Sequence, residues 1–127
     1  MIIGIGNDIC NMTRIAKAYE RHGARFCAKI LTDSEQEEMA QRGQKSDYLA
    51  KRFAAKEAIY KAIAHHISPA PSWHDACILN DAQGRPIVRL SERCQTALDE
   101  AAHAPITLHL SLSDDDPFAF AICIAST

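Results

Sequence analysis

The sequence predicts an α+β fold in which a mainly antiparallel sheet packs against one long central helix. Three observations carry that expectation. Phe53 to Ile63 holds four Ala and no Gly or Pro, so its intrinsic preference is strongly helical. Thr107 to Ser113 alternates without fault, with Leu108, Leu110 and Leu112 on one face and Thr107, His109, Ser111 and Ser113 on the other, which is the period of a strand. The order of elements, strand, helices, hairpin, helix, hairpin, lacks the regular strand–helix alternation of a parallel sheet.

Met1 to Ile9 opens the chain as a short strand rich in β-branched isoleucine. Gly4 and Gly6 weaken it unless another backbone or a ligand must come close. Thr13 is the expected cap of a helix reaching His22, with Gly23 past its end. Thr32-Asp33-Ser34-Glu35 reads as a capping box that starts a helix ending near Gly43. Ser46 is expected to cap the central helix, Asp47 to about Ala64. Ser68 to Ser72 is a loop, because Pro69 and Pro71 cannot continue a helix. Trp73–Leu79 and Pro86–Leu90 form a hairpin through Asp81 to Arg85. Ser91 caps a helix to about Ala102, stopped before Pro105. The strand from Thr107 turns at Asp114-Asp115-Asp116-Pro117 and returns as Phe118 to Ala125. On that last strand Phe118, Phe120, Ile122 and Ile124 share a face, leaving Ala119, Ala121, Cys123 and Ala125 on a small-residue face.

Composition narrows the class. At 127 residues the chain fits a single domain, residues 1–127, with a core that needs no staples. A formal charge of −2 argues against a bulk nucleic-acid binder but leaves room for a local basic patch. Five cysteines, odd in number and without a C-x-x-C pair, read as free thiols of a reducing compartment. The start lacks a basic region followed by a long apolar run, and nothing approaches the ~18 apolar residues of a membrane span. The expectation is a cytoplasmic protein without a membrane segment.

At about 100° per residue, Leu49, Phe53, Glu57, Tyr60 and Ala64 fall within a roughly 80° arc of the central helix. That arc draws a carboxylate up against an aromatic face. Lys61 follows Glu57 by one turn, so the two form either an ordinary helical ion pair or part of a site. Asp8, at the end of the first strand, is a second acid that is either a turn residue or a site residue. Brought together by the fold, Asp8 and Glu57 would suit a hard cation such as Mg²⁺, which takes one or two carboxylates, waters and substrate phosphates. Lys61 beside them would stabilise charge developing on a leaving phosphate.

Two stretches carry a family resemblance. Ile3-Gly4-Ile5-Gly6-Asn7-Asp8-Ile9 resembles the G-I-G-x-D-I opening of the holo-[acyl-carrier-protein] synthases, the small phosphopantetheinyl transferases. Arg52-Phe53-Ala54-Ala55-Lys56-Glu57-Ala58, with Lys61 four residues after Glu57, resembles their R-F-x-x-K-E-A-x-x-K signature. Arg25-Phe26, Ile30-Leu31-Thr32 with Glu35, and Gly84-Arg85-Pro86 also fit, in order along nearly the whole chain. The resemblance implies a phosphopantetheinyl transferase-like fold. It also implies transfer of 4′-phosphopantetheine from coenzyme A to a serine of apo acyl carrier protein, in support of fatty acid biosynthesis, with release of adenosine 3′,5′-bisphosphate.

By the same resemblance Asp8 and Glu57 hold Mg²⁺. Glu57, itself or through a water on the cation, takes the serine proton. Lys61 meets phosphate oxygens and, with Gly84, Arg85, Pro86 and Ser111, binds coenzyme A. Arg14, Arg25 and Arg52 face the acidic carrier, with Lys29 and Lys45 as neighbours. A homotrimer with active sites between subunits is implied, and the small face of the last strand and the mixed arc of the helix want covering. The chain departs from the family at Ala64-His65-His66, where a Gly-Thr-Gly-type loop is common. It departs again at Asp114, where S-x-S/T-H ends in histidine. Two rivals stand beside this reading: another Mg²⁺-dependent phosphate or nucleotide enzyme, and a non-catalytic carrier-binding module.

Overall fold

A computed structural model describes all residues, 1–127. The chain runs as β1 (Ile2–Asn11), α1 (Met12–His22), α2 (Ala24–Ile30), α3 (Asp33–Ala40), α4 (Lys45–Ile63), β2 (Ala76–Asn80), β3 (Pro86–Leu90), α5 (Glu92–Ala102), β4 (Thr107–Asp115) and β5 (Phe118–Ser126). Single 3₁₀ turns occupy Ala64–His66 and Trp73–Asp75. All strand pairs are antiparallel: β5 lies between β1 and β4 in one sheet, and β2 pairs with β3 in another. The expected α+β class and antiparallel sheet are therefore present. No helix is long and apolar enough to cross a membrane.

α4 is the centre of the molecule because its alanines let other backbones approach closely. Ala54, Ala55, Ala58 and Ala62 are fully buried. A Cβ on Gly4 or Gly6 would collide with the carbonyl oxygens of Ala62 and Ala58. Glycine in β1 therefore serves backbone-to-backbone packing of strand on helix, and the weakened strand is held by α4 itself. Ala119, Ala121, Cys123 and Ala125 of β5 are buried, and β5 also packs on α4. The cysteines are free and all buried except the half-buried Cys77. Burial pushes the Cys123 thiol up to about 12, so it packs as a small apolar group.

The structure revises several local expectations. Asn11, not Thr13, caps α1, its side-chain oxygen accepting from the Thr13 N–H at 2.9 Å. Between Gly23 and Leu31 lies a short helix, α2, whose seven residues are too few to show a clear period. Gly23, at φ 51°, ends α1 and begins α2 at once. α3 stops at Ala40, and α4 begins at Lys45 behind Gln44, so Ser46 lies inside the helix. The Thr32–Glu35 capping box is present as expected. The first hairpin strand starts at Ala76, because Trp73–Asp75 winds into the 3₁₀ turn.

One correction concerns the surface that wants covering. The small face of β5 is already buried under α4, so it needs no partner. The uncovered apolar face is the opposite one, where Ile5 and Ile9 of β1 join Phe118 and Phe120 of β5, each 39% exposed or more. The register sets Ile9 beside Phe120 and Ile5 beside Ile124.

Candidate active site

Asp8 is aimed at α4 by the pleat of β1. It pairs with Ala121 on the buried face, two residues on from Gly6, which lies against Ala58 and Lys61. Glu57 reaches the same region from α4. Burial first, and then the negative charge of Asp8, raise the Glu57 carboxyl above its ordinary 4.5, with Lys61 pulling the other way. Lys61 donates to the Asn7 carbonyl at 2.9 Å and lies 3.4 Å from Asp8 Oδ1. Its side chain is 51% exposed, which leaves the ammonium free to turn toward an incoming anion. The fold thus gathers Asp8, Glu57 and Lys61 at one place.

Two carboxylates with an under-satisfied lysine are a donor set for a hard cation and an anionic ligand. Burial and, after it, the Asp8 charge both disfavour the ionised Glu57, and a divalent ion between the carboxylates would relieve the repulsive part. No group of three or more His, Cys, Asp and Glu side chains gathers here or anywhere else in the fold, so the protein offers two carboxylates at most. An ion here would complete its shell with water and substrate oxygens, the habit of Mg²⁺.

The residue before Glu57 faces the other way. Lys56 is buried and spends its three N–H donors on Glu35 Oε1 at 2.6 Å, the Ile30 carbonyl at 2.7 Å and the Trp73 carbonyl at 2.9 Å. Burial lowers its proton affinity, with the Glu35 charge opposing. Glu35 in turn accepts from the Thr32 and Ile78 backbone N–H groups, both at 2.8 Å. The knot locks α2, α3, β2 and the Trp73 turn onto α4. Sequence reasoning took Glu35 only as a capping residue. The signal for more was its partner Lys56, a lysine on the inward side of a helix flanked by alanines.

The residues expected to meet the carrier divide. Arg14 and Arg25 are exposed, and Arg14 borders a recess shared with Asp8, Phe26 and Phe53. Lys17, Arg21 and Lys29 are also exposed on α1 and α2, so these helices present a basic face. Arg52 is a correction. It is 2% exposed and donates to the Ile78 carbonyl at 2.8 Å and to Glu38 and Asn80, each at 3.0 Å. Its guanidinium also covers the ring of Tyr48, 4.3 Å from the centroid. A group so enclosed holds β2 to α4 and is withdrawn from any partner.

The residues expected to bind coenzyme A do not converge within one chain. Gly84, at φ 84°, turns the hairpin, Arg85 pairs with Asp81 at 3.3 Å, and Pro86 begins β3. Ser111 pairs with Ile122 on the outer face of the sheet, whereas Asp8 pairs with Ala121 on the inner face. Asp114, at the second departure from the family pattern, meets Lys51 at 3.2 Å and ties β4 to α4. At the first departure, His66 Nε2 donates to the Ile3 carbonyl at 3.0 Å, and His65 is exposed. His109 bonds Ser126 Oγ at 3.0 Å across the sheet.

Known proteins resemble this chain over nearly its whole length. The sequence model of the 4′-phosphopantetheinyl transferase superfamily, ACPS, matches residues 4–123. A holo-[acyl-carrier-protein] synthase of Methylobacterium radiotolerans is 42% identical over 127 residues, covering 98% of this chain and 93% of that protein. The crystal structure of holo-[acyl-carrier-protein] synthase from Neisseria meningitidis superposes with a TM-score of 0.87 at 35% identity, covering 100% of both chains. That of Bacillus anthracis, in complex with CoA (3′,5′-ADP), gives a TM-score of 0.78 at 32% identity, covering 98% of this chain and 96% of that one. The chain belongs to the 4′-phosphopantetheinyl transferase superfamily and, within it, to the holo-[acyl-carrier-protein] synthase family of enzymes.

Proposed function

We propose that this enzyme moves 4′-phosphopantetheine from coenzyme A to a serine of an apo acyl carrier protein and releases adenosine 3′,5′-bisphosphate. The observation that carries the reading is the meeting of Asp8, Glu57 and Lys61, from a strand and a helix far apart in sequence. The serine oxygen forms a bond to the pantetheine-bearing phosphorus as the bond to the nucleotide phosphate breaks. Glu57, itself or through a water on the cation, takes the serine proton, a general-base role. Lys61 turns from the Asn7 carbonyl to the oxygen on which charge builds. Mg²⁺ held by Asp8 and Glu57 would neutralise the pyrophosphate, and placement of the reacting groups supplies the rest of the rate.

The 127 residues act as one transferase domain in the cytoplasm and serve fatty acid biosynthesis. Arg14 and Arg25 lie on the basic α1–α2 face that an acidic carrier would meet. Subunits assemble as a homotrimer through the exposed Ile5, Ile9, Phe118 and Phe120 face. That assembly would bring Ser111 and the Gly84–Pro86 turn of one subunit to Asp8 and Glu57 of another, since Ser111 and Asp8 lie on opposite faces of their own sheet.

The test is incubation with coenzyme A and an apo carrier, read by mass spectrometry, with and without chelator. The carrier should gain one phosphopantetheine, and chelation should stop the gain. Phosphate released from nucleotides without carrier modification would point to a different phosphate enzyme. Carrier binding that survives both chelation and Glu57→Gln, with no transfer, would leave only a binding module.

A further inference from the structure

The segment Ser68–Asp75 crosses from α4 toward β2 and, through Pro71, Ser72 and Trp73, faces Glu57 across a recess. It has few fastenings of its own. Between Ser68 and Pro71 the one hydrogen bond comes from Arg93 of α5, whose Nη1 donates to the Pro69 carbonyl at 3.0 Å. The other arm of the same guanidinium, Nη2, donates to Asp75 Oδ2 at 2.6 Å. That oxygen also accepts from the Ser72 N–H at 2.7 Å and the Ser72 hydroxyl at 3.1 Å. Asp75 Oδ1 accepts from the hydroxyl of Ser91, the cap of α5, and the Ser91 N–H donates to the Asp75 carbonyl, both at 2.7 Å. On the opposite side the Lys56 ammonium holds the Trp73 carbonyl. The segment is thus hung between α4 and the start of α5, and Arg93 alone grips it on both sides of Pro71–Trp73.

We propose that Arg93 is a positioning residue for the transfer: it touches no reacting group, but sets the segment opposite Glu57 so that coenzyme A meets a preformed site. The inference rests on the transfer reading above and adds to it a residue outside the cleft. Arg93 fills no core, since its side chain is 42% exposed, and an ion pair so exposed contributes little to stability. Its effect is geometric. A planar guanidinium holds two acceptors at a fixed separation, which a lysine, as a single point of charge, does not. Pro69 and Pro71 stiffen the chain between the two acceptors, so fixing Pro69 and Asp75 fixes Ser72 and Trp73 as well. Without that grip the segment keeps its tie to Lys56 but loses its orientation toward Glu57.

The experiment compares native enzyme, Arg93→Ala, Arg93→Lys and Glu92→Ala, reading transfer kinetics together with acrylamide quenching of Trp73, the single tryptophan of the chain. Glu92, exposed in the first turn of α5, is the control. Its loss weakens the helix start through the dipole and leaves the clasp whole. Arg93→Ala should raise KM for coenzyme A about 10-fold with kcat within about twofold, the mark of binding lost through misplacement. Arg93→Lys should recover part of this, to about threefold above native. KM for the carrier, met on the α1–α2 face, should stay within about twofold in every variant. Trp73 should quench more readily in Arg93→Ala, and coenzyme A should reverse part of that change. Glu92→Ala should match the native enzyme in KM and in quenching. Native KM for coenzyme A and native quenching in Arg93→Ala would overturn the proposal. So would a loss shared equally by coenzyme A and the carrier, or a Glu92→Ala variant that behaves as Arg93→Ala does, since either would make α5 a matter of stability alone. Absence of transfer by the native enzyme would instead sink the functional reading on which this one rests.

Discussion

Lys56 and Glu57 are neighbours on one helix, yet they belong to two different kinds of charged cluster. The roughly 100° turn between them sends Lys56 inward and Glu57 to the edge of a cleft. Around Lys56 every donor has a partner at 2.9 Å or less, and Glu35 opposite is wholly buried and bonded through both oxygens. Around Glu57 the charges are incompletely paired: a repelling Asp8, and a Lys61 whose nearest carboxylate contact is 3.4 Å. Saturation makes the first cluster a structural fastening. Want of saturation makes the second reactive, because a cation and a phosphate have interactions left to gain there.

The largest effect should come from breaking the fastening. Glu35→Ala leaves a buried ammonium and the Ile78 N–H without their partner, and removing one member of a buried pair typically costs about 3–5 kcal/mol. Denaturant midpoints should fall accordingly. The Glu35→Leu, Lys56→Met double variant should regain part of the loss, since it removes the orphaned charge but not the orphaned backbone donors. A Glu35→Ala protein with native stability would mean that the buried pair is no fastening at all.

Glu57→Gln should show the reverse pattern. Transfer should drop by about 100-fold or more, the scale of losing a positioned base. Stability at neutral pH should hold or rise slightly, because the substitution removes one of two repelling carboxylates. A native rate in Glu57→Gln would take catalysis away from this cleft.

This contrast also explains what the amino-acid pattern disclosed. Helix α4, the hairpin of β4 and β5, and the convergence of Asp8 with Glu57 were legible because period, turn chemistry and two motifs all pointed the same way. α2 was not, because seven residues with Cys27 and Ile30 turned inward carry too little period. Arg52 misled for a physical reason: pattern reading treats arginine as surface charge, while its long stem and forked donors also suit it to bridging a carbonyl, a carboxylate and an aromatic ring in the interior. The covered face of β5 misled as well, since small residues signal close packing and not an opening. The recess beside Glu57 was illegible, being built from α4 and the distant Pro71–Ala76 segment.

Arginines sharpen the comparison at smaller scale. Arg14→Ala, at an exposed position, should raise KM for the carrier a few-fold, with a salt dependence weaker than that of the native enzyme, and leave thermal stability within about 0.5 kcal/mol. Arg52→Ala should do the opposite, lowering stability by about 1–3 kcal/mol through unsatisfied Ile78 and Glu38 acceptors. Its carrier salt dependence should match that of the native enzyme. If the two variants exchanged these behaviours, the assignment of Arg14 to docking and Arg52 to the interior would be reversed.

The smallest effect is a slope of stability against pH, and its sign separates acids that serve the fold from the acid that serves the reaction. Asp75 holds its carboxyl well below 3.8: burial opposes this, but the Ser72 N–H, the Ser91 and Ser72 hydroxyls and the Arg93 guanidinium outweigh it. The stability Asp75 contributes is present above its ordinary value and is lost as pH falls toward the depressed one. Glu57 is the other case. Its folded form binds a proton more tightly than the unfolded chain does, so stability falls as pH rises from 4.5 through the raised value. Above that value the full penalty of burying the Glu57 charge, and of facing it with Asp8, is in place, and there Glu57 is ionised and able to act as a base. Without divalent cations, the difference in stability between Glu57→Gln and the native protein should therefore widen with rising pH and then level off. A difference that shrinks as pH rises would mean that Glu57 is stabilised as a carboxylate in the folded protein, and the acidic pair would lose the repulsion that readies it for a cation.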